Sequence, residues 1–174
     1  MQPKDILFLG HSLIEFYDWR KRFPGHRVAG LGVAGETAAG LLSRLGRITE
    51  QHPRADLVFV MTGTNDVAME DFGFVDVYRE IVERLSGAYP GAAIHVHSIL
   101  PMMIEWITAE DIQRVNRAIK EMARERGVVF VDIYSLFTDA GGMAVKEYFA
   151  EDGVHLSDEG YAVWTGVIEK IVNQ

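Results

Sequence analysis

Five short apolar runs, each separated from the next by an amphipathic or turn-rich stretch, constrain this chain more than any other feature. Ile6-Leu-Phe-Leu9 is wholly apolar, and Asp56-Leu-Val-Phe-Val-Met-Thr62 is the strongest of the set. Ala92-Ala-Ile-His-Val-His-Ser-Ile99 and Val128-Val-Phe-Val-Asp132 follow, while His26 to Gly30 is shorter and weaker. Runs that are apolar at successive positions, and not only at alternate ones, predict strands buried on both faces. Between them Leu13 to Arg22 is amphipathic and aromatic, and Pro24-Gly25 ends it. Leu41, Leu42, Leu45 and Ile48 recur at helical spacing within 36–48, and Val75, Tyr78, Ile81, Val82 and Leu85 within 72–89. Thr108-Ala-Glu-Asp111 predicts a capping box opening a helix that runs to about Arg126, with Gly127 as its C-cap. Tyr161, Trp164, Ile168 and Ile171 predict a last helix over 157–172. Strands alternating with helices in this way predict an α/β fold, with a parallel sheet covered by helices on both faces. The chain has 174 residues and shows no repeat or interdomain linker, so one domain over 1–174 is expected.

Charge and composition remove several classes of function. A net charge of −8 argues against broad nucleic-acid or anionic-membrane binding, which require a basic face. Cysteine is absent, which excludes disulfides, thiolate metal sites and a cysteine nucleophile. No apolar run approaches the ~20 residues of a membrane span. Met1-Gln-Pro-Lys-Asp5 leads straight into the first strand without a signal-peptide pattern. A cytoplasmic location is the expectation, with a removed leader and a homo-oligomeric state left open.

Parallel strands present their C-terminal ends at one edge, where open α/β sheets hold ligands. Gly10-His-Ser12, Gly32-Val-Ala-Gly35 and Gly63-Thr-Asn65 all fall there. Asp152-Gly-Val-His155 comes just before the last helix, at the end of a long irregular stretch over roughly 134–154, and such loops are usually functional. Acyl transfer needs a hydroxyl, a base, a group that orients the base, and donors for the developing oxyanion. Ser12 supplies the hydroxyl. His155 supplies an imidazole, a class of base that titrates near pH ~6.5 before any perturbation. Asp152, three residues earlier, can hold the other ring nitrogen. The amide of Asn65 and the backbone N–H groups of Gly35 and Ser12 make three oxyanion donors. No metal and no organic cofactor is called for. Taken singly, each residue has a plainer reading. Ser12-Leu-Ile-Glu15 fits a helix cap, Asp152-Gly153 is a common turn pair, Asp66 can cap a helix, Gly35 can be a loop glycine, and His155 can be a surface histidine. Their joint arrival at the right ends of the right elements carries the functional reading.

On these blocks the chain resembles the SGNH hydrolase superfamily, the GDSL-type esterases and lipases, from Ile6 to about Val172. Gly10-His-Ser12 is similar to the family's Gly-Asp-Ser block, Gly35 to the glycine of its second block, Gly63-Thr-Asn-Asp66 to its Gly-x-Asn-Asp block and Asp152-Gly-Val-His155 to its Asp-x-x-His block. The resemblance implies a three-layer α/β/α sandwich with a five-stranded, flavodoxin-like parallel sheet. It also implies a Ser12–His155–Asp152 triad with Asn65 as an oxyanion donor. Two departures stand out: His11 replaces the aspartate usual before the serine, and Gly30-Leu-Gly32 lacks the Asn or Arg often found there.

Other features compete with this reading. Gly30-Leu-Gly-Val-Ala-Gly35 matches the G-x-G-x-x-G dinucleotide fingerprint, but it follows the second strand and not the first. His95-Val-His97 puts two imidazoles on one strand face with no further ligand nearby in sequence. His11, His97, Met102 and Trp106 are candidate substrate-pocket residues. The chain leaves little room for a lid or a long acyl tunnel, so the expected substrate is a small ester with a short acyl group, such as acetyl on a sugar or small alcohol. A lysophospholipase or acyl-thioesterase of the same superfamily is an alternative. A non-catalytic, flavodoxin-like ligand- or nucleotide-binding domain is an alternative of a different class.

Overall fold

Ile6 to Leu9 lie in strand β1 (Asp5–Gly10), near the middle of a five-stranded sheet. The other strands are β2 (Arg27–Gly32), β3 (Leu57–Met61), β4 (Ala93–His97) and β5 (Val129–Val131). Their order is β2-β1-β3-β4-β5 and every pairing is parallel. The computed structural model describes residues 2–174. Leu9 sits beside both Leu31 and Val60, and Gly10 beside Gly32 and Met61, so the segments leaving β1, β2 and β3 emerge at one level. The chain steps from β1 out to β2, then returns past β1 to β3. Winding reverses there, which opens a crevice at the C-terminal ends of β1 and β3.

Side chains alternate along the strands into two cores. Leu7, Leu9, Val58, Val60 and Val96 pack under helices α3 (Ala38–Gln51), α5 (Val75–Ala88) and α6 (Ala109–Arg126). Ile6, Phe8, Phe59 and Met61 pack under α1 (Ser12–Glu15), α2 (Trp19–Arg22) and α7 (Asp158–Val172). The second core is aromatic: Phe8 stacks on Trp19 at 3.9 Å and on Phe59 at 5.0 Å between ring centroids. Together these form the three-layer α/β/α sandwich. Among the described residues no helix is long and apolar enough to cross a membrane.

The helix ends follow local chemistry. The capping box of Thr108 and Asp111 and the left-handed cap at Gly127 bound α6 as expected. Two segments differ from the sequence reading. The stretch 13–22 is two short helices, with Asp18 capping the second through Lys21 N–H. The break lets Trp19 turn into the core while Phe16 stays outside at 59% exposure. Gly63 to Asp66, read from the sequence as a strand end followed by a cap, starts a further helix, α4 (Thr64–Ala68), with Gly63 as its N-cap. Before α7, Phe149 bridges Leu156 and Ala150 N–H donates to His155 O at 2.8 Å, closing a tight loop that carries 151–154.

Candidate active site

Ser12 is placed by the residue two before it. Gly10 has φ +151, and a Cβ there would sit 1.9 Å from the Met61 carbonyl oxygen. Only glycine lets β1 pass β3 so closely and turn at once into α1. His11 then caps α1, its Nδ1 accepting Leu13 N–H at 3.5 Å. Ser12 is therefore the first helical residue and not the cap. Glu15 makes no box with it and instead accepts Ala34 N–H at 2.6 Å.

The loop between β5 and α7 brings the other partners across. His155 Nε2 lies 3.0 Å from Ser12 Oγ, and His155 Nδ1 lies 2.5 Å from Asp152 Oδ2. Asp152 Oδ1 accepts the backbone N–H groups of Val154 and His155, both at 2.9 Å. Burial pushes the Asp152 carboxyl up. The hydrogen bond from His155 and those two N–H groups outweigh this and hold it down at about 2. An ionised carboxylate only accepts, so Nδ1 carries its proton and Nε2 is left as acceptor for the Ser12 hydroxyl. Phe16 packs against the imidazole, ring centroids 5.3 Å apart. The site is open: the side chains of His155 and Asp152 are 35% and 51% exposed.

Two of the candidate oxyanion donors, Asn65 and the Gly35 loop, are joined to each other. Asn65, in the first turn of α4, donates from Nδ2 to Glu36 O at 2.9 Å, which leaves one amide hydrogen over. Glu36 follows Gly35, whose φ of +74 turns the loop between β2 and α3. Asp66 is buried and accepts Ala38 N–H at 3.0 Å, tying α4 to the first turn of α3. Burial pushes the Asp66 carboxyl up, against the pull of its backbone hydrogen bonds.

Of the four candidate pocket residues, two are corrected. His97 is fully buried between Phe59 and Trp164, its Nδ1 3.2 Å from Val60 O. Burial drives it down to about 3, so it is a neutral core histidine out of reach of substrate. His11 is also buried, and burial, then the nearby charge of His155, holds it down at about 4. It supports α1 and lines no surface. Met102 lines an apolar groove of about 650 Å³ with Ile107, Ile112, Tyr134 and Met143, which holds none of Ser12, Asp152 and His155. Trp106 lies on the surface at 60% exposure, its Nε1 donating to Ala68 O at 3.0 Å. That pins the indole to the far end of the helix that carries Asn65.

The competing motifs dissolve in the packing. A Cβ on Gly32 would lie 2.3 Å from Glu15 N and 2.6 Å from His11 O, so this glycine admits α1. Gly30 faces Trp19, and the Ala34 N–H is already taken by a carboxylate, which would repel a phosphate. His95 stacks on Phe59, and among the described residues no group of three or more His, Cys, Asp or Glu side chains could hold a metal. Sequence reasoning missed Phe16, Glu15 and Glu36. Nothing in their spacing marks them, because Phe16 meets His155, Glu15 meets the Ala34 N–H and Glu36 meets Asn65 only when distant segments close at the sheet edge.

Comparison with known proteins identifies the family. The rat (Rattus norvegicus) platelet-activating factor acetylhydrolase IB subunit alpha1 is 24% identical over 165 residues, covering 90% of this chain and 70% of that protein. A structure from Streptococcus pneumonia, provisionally described as a platelet activating factor, is 26% identical with a TM-score of 0.84, covering 98% of this chain and 84% of that one. An acetylxylan esterase from Geobacillus stearothermophilus, solved as a catalytic mutant, is similar in fold, with 17% identity and a TM-score of 0.78 over 96% of this chain and 93% of that one. The model of the GDSL-like Lipase/Acylhydrolase family matches residues 10–163, a span that includes Gly10, Gly35, Asn65, Asp152 and His155. The chain belongs to the GDSL-like lipase/acylhydrolase family and is an ester hydrolase of that type.

Proposed function

We propose that this hydrolase works through an acyl-enzyme on Ser12 and that its substrates carry a short acyl group, acetyl above all, on a sugar or small alcohol. The observation that carries the first part is the unbroken relay from Ser12 Oγ through His155 to Asp152, at 3.0 and 2.5 Å. His155 takes the hydroxyl proton as Oγ attacks the ester carbonyl. The N–H groups of Ser12 and Gly35 and the Asn65 amide receive the oxyanion. Asp152 orients the ring and stabilises the imidazolium. His155 then protonates the leaving alcohol, and a water activated by the same base releases the acid. Residues 1–174 act in this as one catalytic domain.

The short-acyl part rests on the openness of the site. The relay sits at an exposed edge, and the apolar groove beside Met102 does not contain it. Both the curated relative and the Geobacillus neighbour are named for acetyl esters. Trp106 supports a sugar as the alcohol part. Its indole is exposed and anchored through the N–H, so that a pyranose ring can stack on it.

A series of nitrophenyl esters from acetate to decanoate tests the acyl length: rates fall as the chain grows, and a maximum at long chains overturns this reading. A fluorophosphonate probe tests the nucleophile. The protein is labelled and Ser12→Ala is not; an unlabelled wild type favours a binding domain instead. Trp106→Ala raises KM for acetylated xylo-oligosaccharides by about five-fold and leaves turnover of ethyl acetate unchanged within about two-fold.

A further inference from the structure

We infer that Arg44 is a positioning residue for the oxyanion hole, its guanidinium holding together the loops that supply all three donors. The inference rests on the esterase reading above. Arg44 lies on α3, and its Nε and Nη2 meet the Glu36 carboxylate at 2.5 and 2.6 Å. Nη2 also donates to Leu31 O at 2.7 Å and, at the longer distance of 3.4 Å, to Gly10 O. These contacts sit on separate pieces of the site. Gly10 O belongs to the turn that presents the Ser12 N–H, and it also accepts Val33 N–H at 3.0 Å. Glu36 is the residue after Gly35. Its own carbonyl accepts Nδ2 of Asn65, which decides which way that amide faces. A flipped amide would set two oxygens against each other and remove the donor. Glu15 clamps the same loop from the other side through Ala34 N–H.

Stability alone is a poor reason for this pair. The side chains of Arg44 and Glu36 are only 14% and 8% exposed. Desolvation of such a pair consumes most of its attraction, and apolar replacements are often as stable. What a buried guanidinium supplies is a rigid, planar fork that reaches a carboxylate and carbonyls together. Lysine keeps the charge and loses the fork.

The test is a double-mutant cycle on nitrophenyl acetate with wild type, Arg44→Lys, Asn65→Ala and the double variant, each checked for an intact melting transition. Arg44→Lys is expected to lower kcat by about ten-fold or more with KM within about two-fold, because it misplaces donors used in the transition state. Asn65→Ala is expected to lower kcat by about 100- to 1,000-fold. The double variant is expected to lose at least about five-fold less than the product of the two, because both changes damage one hole. A fully multiplicative double variant, or Arg44→Lys with wild-type kcat, overturns the proposal. If Arg44→Lys does not fold, Glu36→Gln takes its place, since it keeps the backbone carbonyl and weakens the fork; collapse of both variants makes the pair structural and equally overturns it. A wild type with no esterase activity and no probe labelling at Ser12 would instead strike the esterase reading itself, which separates the two failures.

Discussion

Asp152 is the residue whose electrostatics are best defined by its surroundings. Its carboxyl is lowered from 3.8 to about 2 by the imidazole and two backbone N–H donors, acting against burial. A lowered acid pKa means the group is charged above that value and neutral only below it. Asp152 therefore stays ionised above about pH 4, and an acid limb of kcat/KM at higher pH does not come from this carboxylate. Asp152→Asn keeps the shape but can donate to Nδ1, which favours the wrong tautomer. Its kcat is expected to fall by about 100-fold or more, with the protein still folded, in steady-state assays with nitrophenyl acetate. A loss of less than about three-fold would remove Asp152 from the relay.

At the scale of elements, the site is assembled by helix starts that lean on one another. The Asp66 carboxylate in α4 takes the Ala38 N–H at the start of α3, and it is buried while doing so. Removing an acceptor there leaves an unpaired buried N–H, so Asp66→Ala is expected to cost about 2 kcal/mol in urea unfolding at pH 7. Asp66→Asn keeps an acceptor and relieves the cost of burying charge, so it should lose less than half of that. Equal losses in both variants would show that charge, not acceptor geometry, ties the two helices. The capping box of α6 was legible in Thr108 to Asp111, because both partners lie within one turn. The break between α1 and α2 was not legible. It depends on Trp19 finding Phe8 on the sheet beneath it, and no local pattern announces that.

For the molecule as a whole, the buried histidines set the response to acid. His97 is held down to about 3 and His11 to about 4, both chiefly by burial. Each is neutral when folded, whereas unfolded histidine binds a proton near pH ~6.5. The unfolded chain therefore binds more protons between pH ~6.5 and the folded values, and stability must fall as pH drops through that window. The loss expected between pH 7 and pH 5 is on the order of 2 kcal/mol for each histidine. Urea unfolding at the two values checks this, and a curve that is flat or rises toward acid would contradict the burial of both rings.

The amino-acid order by itself determined the alternation of strands and helices, because burial on both faces leaves unbroken apolar runs and helical burial leaves a 3.6-residue stripe. It also marked Ser12, Gly35, Asn65, Asp152 and His155 as candidates, because each stands in a short block beside an element end. Only the tertiary structure decided that His97 faces the core, that Ser12 follows a histidine cap, and that Arg44 reaches Gly10, 34 residues away. The physical reason is range. Periodicity and capping act over a few residues along the chain, whereas a buried ring or a guanidinium finds its partners only when distant segments close on the sheet.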